Sequence, residues 1–166
     1  MLVFDATPLI YLAKAEVLHL LSELDEEKVI SESVYDEVVE EGKKKGFPDA
    51  RKIEKLIDDE VFKVVTSDRD RLFDKLVDNS FISKADIDVL EIADENDGIA
   101  LMDEDYSRSI AEVEGIECRG SVYLVFRLVR QGMIDKDQAV KTIDKMIEEG
   151  WYCSTELYSN MMGRLR

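Results

Sequence analysis

MLVFDATPLIYLAKAE, residues 1–16, opens with three apolar residues, then an acid, then the start of a helix. Leu2-Val3-Phe4 is short and apolar at every position, which suits a strand buried on both faces. Pro8 presets its φ for a first helical turn, and Val17, Leu18, Leu20, Leu21 and Leu24 carry the helical spacing onward. The same alternation repeats along the chain. Val29-Ile30 predicts a second strand, followed by a helix carrying Val34 and Val38 that Ser31 or Ser33 can cap. Pro48 starts a helix with Ala50, Ile53, Leu56 and Ile57 inward, and Val61–Val65 predicts a third strand. Helical stretches through Leu72, Leu76 and Val77, then Ile82, Val89, Leu90 and Ala93, lead to a fourth strand over 98–102 and a short fifth over 115–118. Helices follow at about 121–131, 136–149 and 154–164. Short apolar strands separated by helices predict an α/β fold, a parallel sheet covered on both faces.

The 166 residues suit one domain of ordinary size, and 45% hydrophobic residues can build its core. Thirty-eight Asp and Glu against 22 Lys and Arg leave a charge of −16, which excludes a broad basic nucleic-acid footprint. No apolar run nears the roughly 20 residues of a membrane span. The N-terminus has an early Asp and no basic region, so it does not read as a signal peptide. Two cysteines, Cys118 and Cys153, make no disulfide framework, and a cytoplasmic location is expected. A single histidine, His19, leaves little room for histidine catalysis or a multi-histidine metal site.

Four acids stand out by position rather than number. Asp5 directly follows the first predicted strand and Asp103 the fourth. Sites in open parallel sheets form at the carboxyl ends of strands, so these two are expected to share a crevice. Glu37, between Val34 and Val38, and Asp86, between Ile82 and Val89, fall on the apolar stripes of their helices. An inward carboxylate is costly unless paired, hydrogen-bonded or metal-bound, and no basic residue shares these positions in an obvious way. A divalent cation would supply the missing charge, and oxygen-only ligands favour Mg²⁺ or Mn²⁺ over Zn²⁺. Ordinary roles compete, since Asp is common in turns and at helix N-caps. A shifted helix boundary would also rotate Glu37 or Asp86 outward. Asp105 shares the strand end of Asp103, while Asp36, Asp88, Glu91 and Glu104 read as solvated faces.

FDATPLI (4–10), SVYDEVVEEG (33–42), SKADIDVLEIA (83–93) and LMDEDYSRSIAEVEGIECRGS (101–121) resemble, in order and at plausible spacing, the motifs of a PIN-domain nuclease. The resemblance covers roughly residues 1–130. The tail GMIDKDQAVKTIDKMIEEGWYCSTELYSNMM (132–162) is similar to the helical C-terminal extension of a prokaryotic PIN-like subfamily. It implies a three-layer α/β/α sandwich of about five parallel strands over residues 1–131, with 132–166 packed on it as a helical extension. It also implies that Asp5, Glu37, Asp86 and Asp103 are the catalytic and metal-binding acids, with Asp105 as an additional metal ligand and Thr7 as the nearby hydroxyl. Ala85 stands where a Gly often precedes the third acid, and Leu101-Met102 where a Thr or Ser often precedes the fourth.

That resemblance implies hydrolysis of RNA phosphodiester bonds with Mg²⁺ or Mn²⁺, which polarise the phosphate and acidify a water. Arg108, Arg119, Arg127 and Arg130 form the one locally basic stretch and are candidates to hold flanking phosphates, Arg108 foremost; Lys43, Lys44 and Lys45 are a second candidate. It further implies a VapC-like toxin with a small antitoxin partner, and a homodimer. Val122, Leu124, Val125, Leu128, Val129, Trp151, Tyr152 and Tyr158 offer possible surface for that dimer, although core packing accounts for most of them. A non-catalytic PIN-like partner-binding module is the alternative, although such a chain should have lost an acid. Dehalogenase-like and receiver-like folds also place an Asp after the first strand. The former wants a second Asp where Thr7 stands, and the latter a Lys where Cys118-Arg119-Gly120 stands.

Overall fold

The computed structural model describes residues 1–68 and 71–166. Strands β1 (Leu2–Phe4), β2 (Lys28–Ser31), β3 (Lys63–Val65), β4 (Ile99–Leu101) and β5 (Cys118–Arg119) form one sheet, ordered β3-β2-β1-β4-β5. Every pairing is parallel. All three β1 side chains are fully buried, as a central strand covered on both faces requires. At the sheet edge Lys63 and Val64 of β3 face solvent. The third strand is shorter than its apolar run because Phe62 turns inward before it, packing edge-on against Phe4 with ring centroids 5.0 Å apart.

Ten α-helices connect and cover the strands among the described residues: α1 (Ala6–Lys14), α2 (Glu32–Tyr35), α3 (Gly42–Lys44), α4 (Pro48–Asp58), α5 (Arg71–Leu76), α6 (Lys84–Glu95), α7 (Asp105–Glu114), α8 (Ser121–Arg130), α9 (Lys136–Glu148) and α10 (Thr155–Leu165). The sandwich is three-layered. On one face α6 lies over β1, β2 and β4, with α5 beside it; elsewhere α1 packs against α4, α8 and α9, and α10 against α9. No helix among the described residues is long and apolar enough to cross a membrane.

Several local expectations change. The helical pattern predicted through Leu24 breaks at Glu16, which takes a left-handed φ of 62°, and residues Leu18–Glu23 coil instead into 3₁₀ turns that leave His19 exposed. Ser31 is the cap of α2, its Oγ accepting the Val34 N–H at 3.1 Å. Beyond Tyr35 the helix widens into π-helical turns over Asp36–Glu41 before tightening again in α3. Glu91 is no solvated residue. It is 1% exposed and accepts the backbone N–H groups of Leu72 and Phe73, binding the start of α5 to the middle of α6. Of the side chains offered as dimer surface, Leu124, Val125, Leu128 and Trp151 belong to the core, whereas Tyr152 is 84% exposed.

Candidate acidic site

The chain builds outward from β1 to β2 and β3, then returns to lay β4 on the other side of β1. Strand order therefore reverses between β1 and β4, and a crevice opens there at the carboxyl ends of the strands. Asp5 and Asp103 stand at that crevice. Asp5 is pinned to both strands, since it follows Phe4 directly and its N–H donates to the Leu101 carbonyl at 3.0 Å. Its extended backbone (φ −79°, ψ 168°) makes it the residue on which α1 begins, and folding buries it to 6% exposure.

Burial is the largest influence on the Asp5 carboxyl, and the Asp86 charge comes next, with Glu37 and Asp103 adding to both. The Ala6 N–H pulls the other way, yet the pKa stands at about 7 against an ordinary 3.8. Glu37 and Asp86 thus reach the same electrostatic neighbourhood, but not by facing the core. Glu37 is exposed as a residue, a consequence of the π-helical turns that carry it. Partial burial of its carboxyl and the Asp86 charge still push its pKa up, opposed by Lys45. Asp86 is half-buried at the third position of α6 and closes a reciprocal cap with Ser83. The Asp86 N–H donates to Ser83 Oγ at 3.1 Å, and the Ser83 N–H to Asp86 Oδ2 at 3.0 Å.

Asp103 is held differently. Its Oδ1 accepts the Ser121 N–H at 2.7 Å, and its Oδ2 accepts Ser121 Oγ at 2.5 Å and the Trp151 indole N–H at 3.1 Å. Gly120 makes room for this seat, because a Cβ there would lie 2.8 Å from Asp103 Oδ1. Gly120, Ser121 and Trp151 escape reading from the sequence. Ser121 has the signature of an ordinary first-turn hydroxyl, and nothing in the spacing links Trp151 to an acid 48 positions away.

A cavity of about 540 Å³ opens beside Asp103 and is lined by Thr7, Tyr11, Asp105, Arg108, Trp151 and Tyr152 among others. Thr7 and Arg108 therefore face the crevice. Asp105 lines the same cavity as the exposed first residue of α7, outside the set of acids that acts on Asp5. The other basic candidates divide. Arg119 is exposed near Arg108, whereas Arg127 is occupied in a mostly buried ion pair with Glu26. Arg130 is exposed at the last position of α8. Lys43 and Lys44 are tied to Glu54 and Glu41 at 2.6 and 2.7 Å.

Among the described residues no three Asp, Glu, His or Cys side chains converge into a ready-made metal cage. A fully dehydrated cation would need one. Mg²⁺ keeps several waters and takes one or two carboxylates directly, so four spaced oxygen donors suit a hydrated ion. Asp5 also makes no ion pair among the described residues, and the acids around it leave its charge without a counter-ion. The donor set fits a hard divalent cation.

No curated protein and no solved structure matches the chain. A family model described as PIN domain matches residues 1–166. Proteins with this domain are in general nucleases acting on nucleic acid, typically with divalent metals. With a five-stranded parallel sheet between helical layers and a match that runs from the first residue to the last, the chain belongs to the PIN-domain family.

Proposed function

We propose that this chain is a Mg²⁺- or Mn²⁺-dependent endoribonuclease that hydrolyses RNA phosphodiester bonds at the crevice between β1 and β4. One observation carries the reading: Asp5, buried at the switch point, has three further acids acting on it and a pKa near 7. A carboxyl in that position resists ionisation near neutral pH, and a cation beside it would favour the charged form. Asp5, Glu37, Asp86 and Asp103 would hold that cation, some through water, with Asp105 at the rim. When bound, it supplies Lewis-acid polarisation of the scissile phosphate and lowers the pKa of a water. Ser121 and Trp151 keep the Asp103 carboxylate in one orientation. Thr7 offers a hydroxyl and Arg108 a guanidinium to the phosphate. Residues 132–166 act as an extension that completes the site through Trp151.

The test is cleavage of single-stranded and structured RNA by purified protein. Activity should require Mg²⁺ or Mn²⁺, stop with EDTA, and vanish in Asp5→Asn and Asp103→Asn; cleavage surviving in Asp5→Asn would sink the assignment. The rival, a non-catalytic partner-binding module, gains from the three donors already seated on Asp103. Calorimetry with MnCl₂ decides between them, since that module needs no metal. For the cellular role we propose a cytoplasmic VapC-like toxin neutralised by a small antitoxin. A short reading frame beside its own would support that role, and sedimentation would test the homodimer.

A further inference from the structure

In a chain where acids outnumber bases 38 to 22, one groove inverts the balance. It has a volume of about 420 Å³ and runs from Asp103 between α8 and α10. Arg108, Arg119 and Arg164 border it, and Asp103 is its only acid among the described residues. The three arginines come from α7, β5 and α10 and are all exposed. Arg108 and Arg164 make no ion pair among the described residues, and Arg119 pairs only with exposed Glu117 at 3.0 Å. Arg108 reaches the groove beside Gly120, where an added Cβ would lie 3.7 Å from its Nη1. The rest of the lining is largely apolar and aromatic, with Phe126, Tyr123, Trp151, Leu157 and Met161. Arg119 and Arg127 each lie over the Tyr123 ring, both 6.0 Å from its centroid.

A positive border, an aromatic floor and an outlet at Asp103 together suit one kind of occupant. We infer that this groove carries the single-stranded RNA flank leading away from the scissile phosphate, with Arg108, Arg119 and Arg164 on its phosphates and Tyr123 and Phe126 under its bases. The inference rests on the ribonuclease reading for its substrate and adds Arg164 and the C-terminal helix to the binding surface. A duplex presents its bases already stacked and gains nothing from the floor, so the groove selects single strands.

Fluorescence anisotropy of a short fluorescein-labelled single-stranded RNA, with the full chain in EDTA, tests this without any cleavage. Arg164→Ala and Arg119→Ala should each weaken binding roughly tenfold. Together they should reduce the slope of log K against log salt by about 1.4, at ~0.7 for each single-strand phosphate that an arginine no longer neutralises. Arg164→Lys should keep the slope, and a duplex of the same length should bind more weakly. If Arg119→Ala disturbs β5, Arg164→Ala on the exposed face of α10 decides alone. No binding by the parent chain, or unchanged affinity and slope in the variants, overturns the inference. So does displacement of the RNA, charge for charge, by poly-L-glutamate, which would assign the groove to an acidic protein segment. Binding in EDTA is independent of catalysis, so loss of Mn²⁺-dependent cleavage with binding intact would remove the nuclease reading and leave the groove standing.

Discussion

Asp5→Asn should stabilise the metal-free protein, and the gain should grow with pH. The wild-type carboxyl titrates near 7 in the fold against 3.8 ordinarily, about three units. At about 1.36 kcal/mol per unit the difference is roughly 4 kcal/mol. The sign follows from proton binding. Between the two pKa values the native state holds a proton that the unfolded chain has released, so wild-type stability falls as pH rises through this window. Below about pH 4 both states are protonated and no penalty exists; above pH 7 it is complete. Asn carries no charge at any pH, so subtracting the two proteins removes the acids remote from the site and leaves Asp5 with its coupling to Asp86, Glu37 and Asp103. Urea unfolding in EDTA should therefore show a gap that opens by roughly 2.5 kcal/mol between about pH 5 and pH 8. In melting temperature the full 4 kcal/mol is on the order of 8–16 °C for a chain of this size. Millimolar Mn²⁺ should raise the wild-type midpoint at pH 8 and leave that of Asp5→Asn nearly unmoved, because the added cation needs the charge that the substitution removes. A gap that does not change with pH would refute the reasoning, since an Asp5 with an ordinary pKa neither resists ionisation nor calls for a cation.

Trp151→Phe removes the indole N–H from Asp103 while keeping an aromatic in the core. With both Ser121 bonds left, RNA cleavage should drop about tenfold in kcat with KM little changed, as steady-state kinetics would show. Gly120→Ala is permitted by its backbone (φ −94°, ψ 176°), so its damage should come from the Cβ 2.8 Å from Asp103 Oδ1. The fold should persist by circular dichroism while cleavage falls on the order of 10²-fold through the displaced carboxylate. Arg127→Ala should cost about 2 kcal/mol in urea unfolding by stranding the partly buried Glu26, yet weaken RNA affinity by anisotropy far less than Arg119→Ala, since Arg127 meets the groove only through Tyr123. Weakened affinity with unchanged stability would return Arg127 to the binding surface.

What the sequence discloses depends on how each residue is placed. Asp5 and Asp103 are legible because a strand end fixes its successor whatever the helix phase, and two short apolar runs locate both ends. Glu37 and Asp86 depend on phase, and there the reading slips. A π-helical turn spans five residues per hydrogen bond instead of four and widens the helix, so spacing from Val34 no longer points Glu37 inward. For Asp86 the Ser83-x-x-Asp86 cap is present in the sequence, but the apolar stripe around it draws the stronger inference. Glu91 reverses the error. Its charge suggests solvent, whereas the first turn of α5, whose N–H groups need an acceptor, pulls it into the interior. Trp151 is not legible as a partner of Asp103, because only tertiary folding brings the turn between α9 and α10 to the strand ends.

A charge of −16 is a poor guide to what the crevice will accept. At physiological ionic strength the screening length is about 8 Å, so acids spread over distant faces act weakly on an anion entering the groove. What that anion meets is local: three arginines beside one carboxylate already occupied by three hydrogen-bond donors. At the crevice between β1 and β4 the sign reverses, for Asp5 and its neighbours repel a phosphate and one another. The acidity therefore falls into two kinds with opposite consequences. Dispersed carboxylates slow encounter with a polyanion and are silenced by salt. On the ribonuclease reading proposed above, the clustered ones would couple entry of the scissile phosphate into the crevice to a cation, while a strand held in the arginine groove needs none.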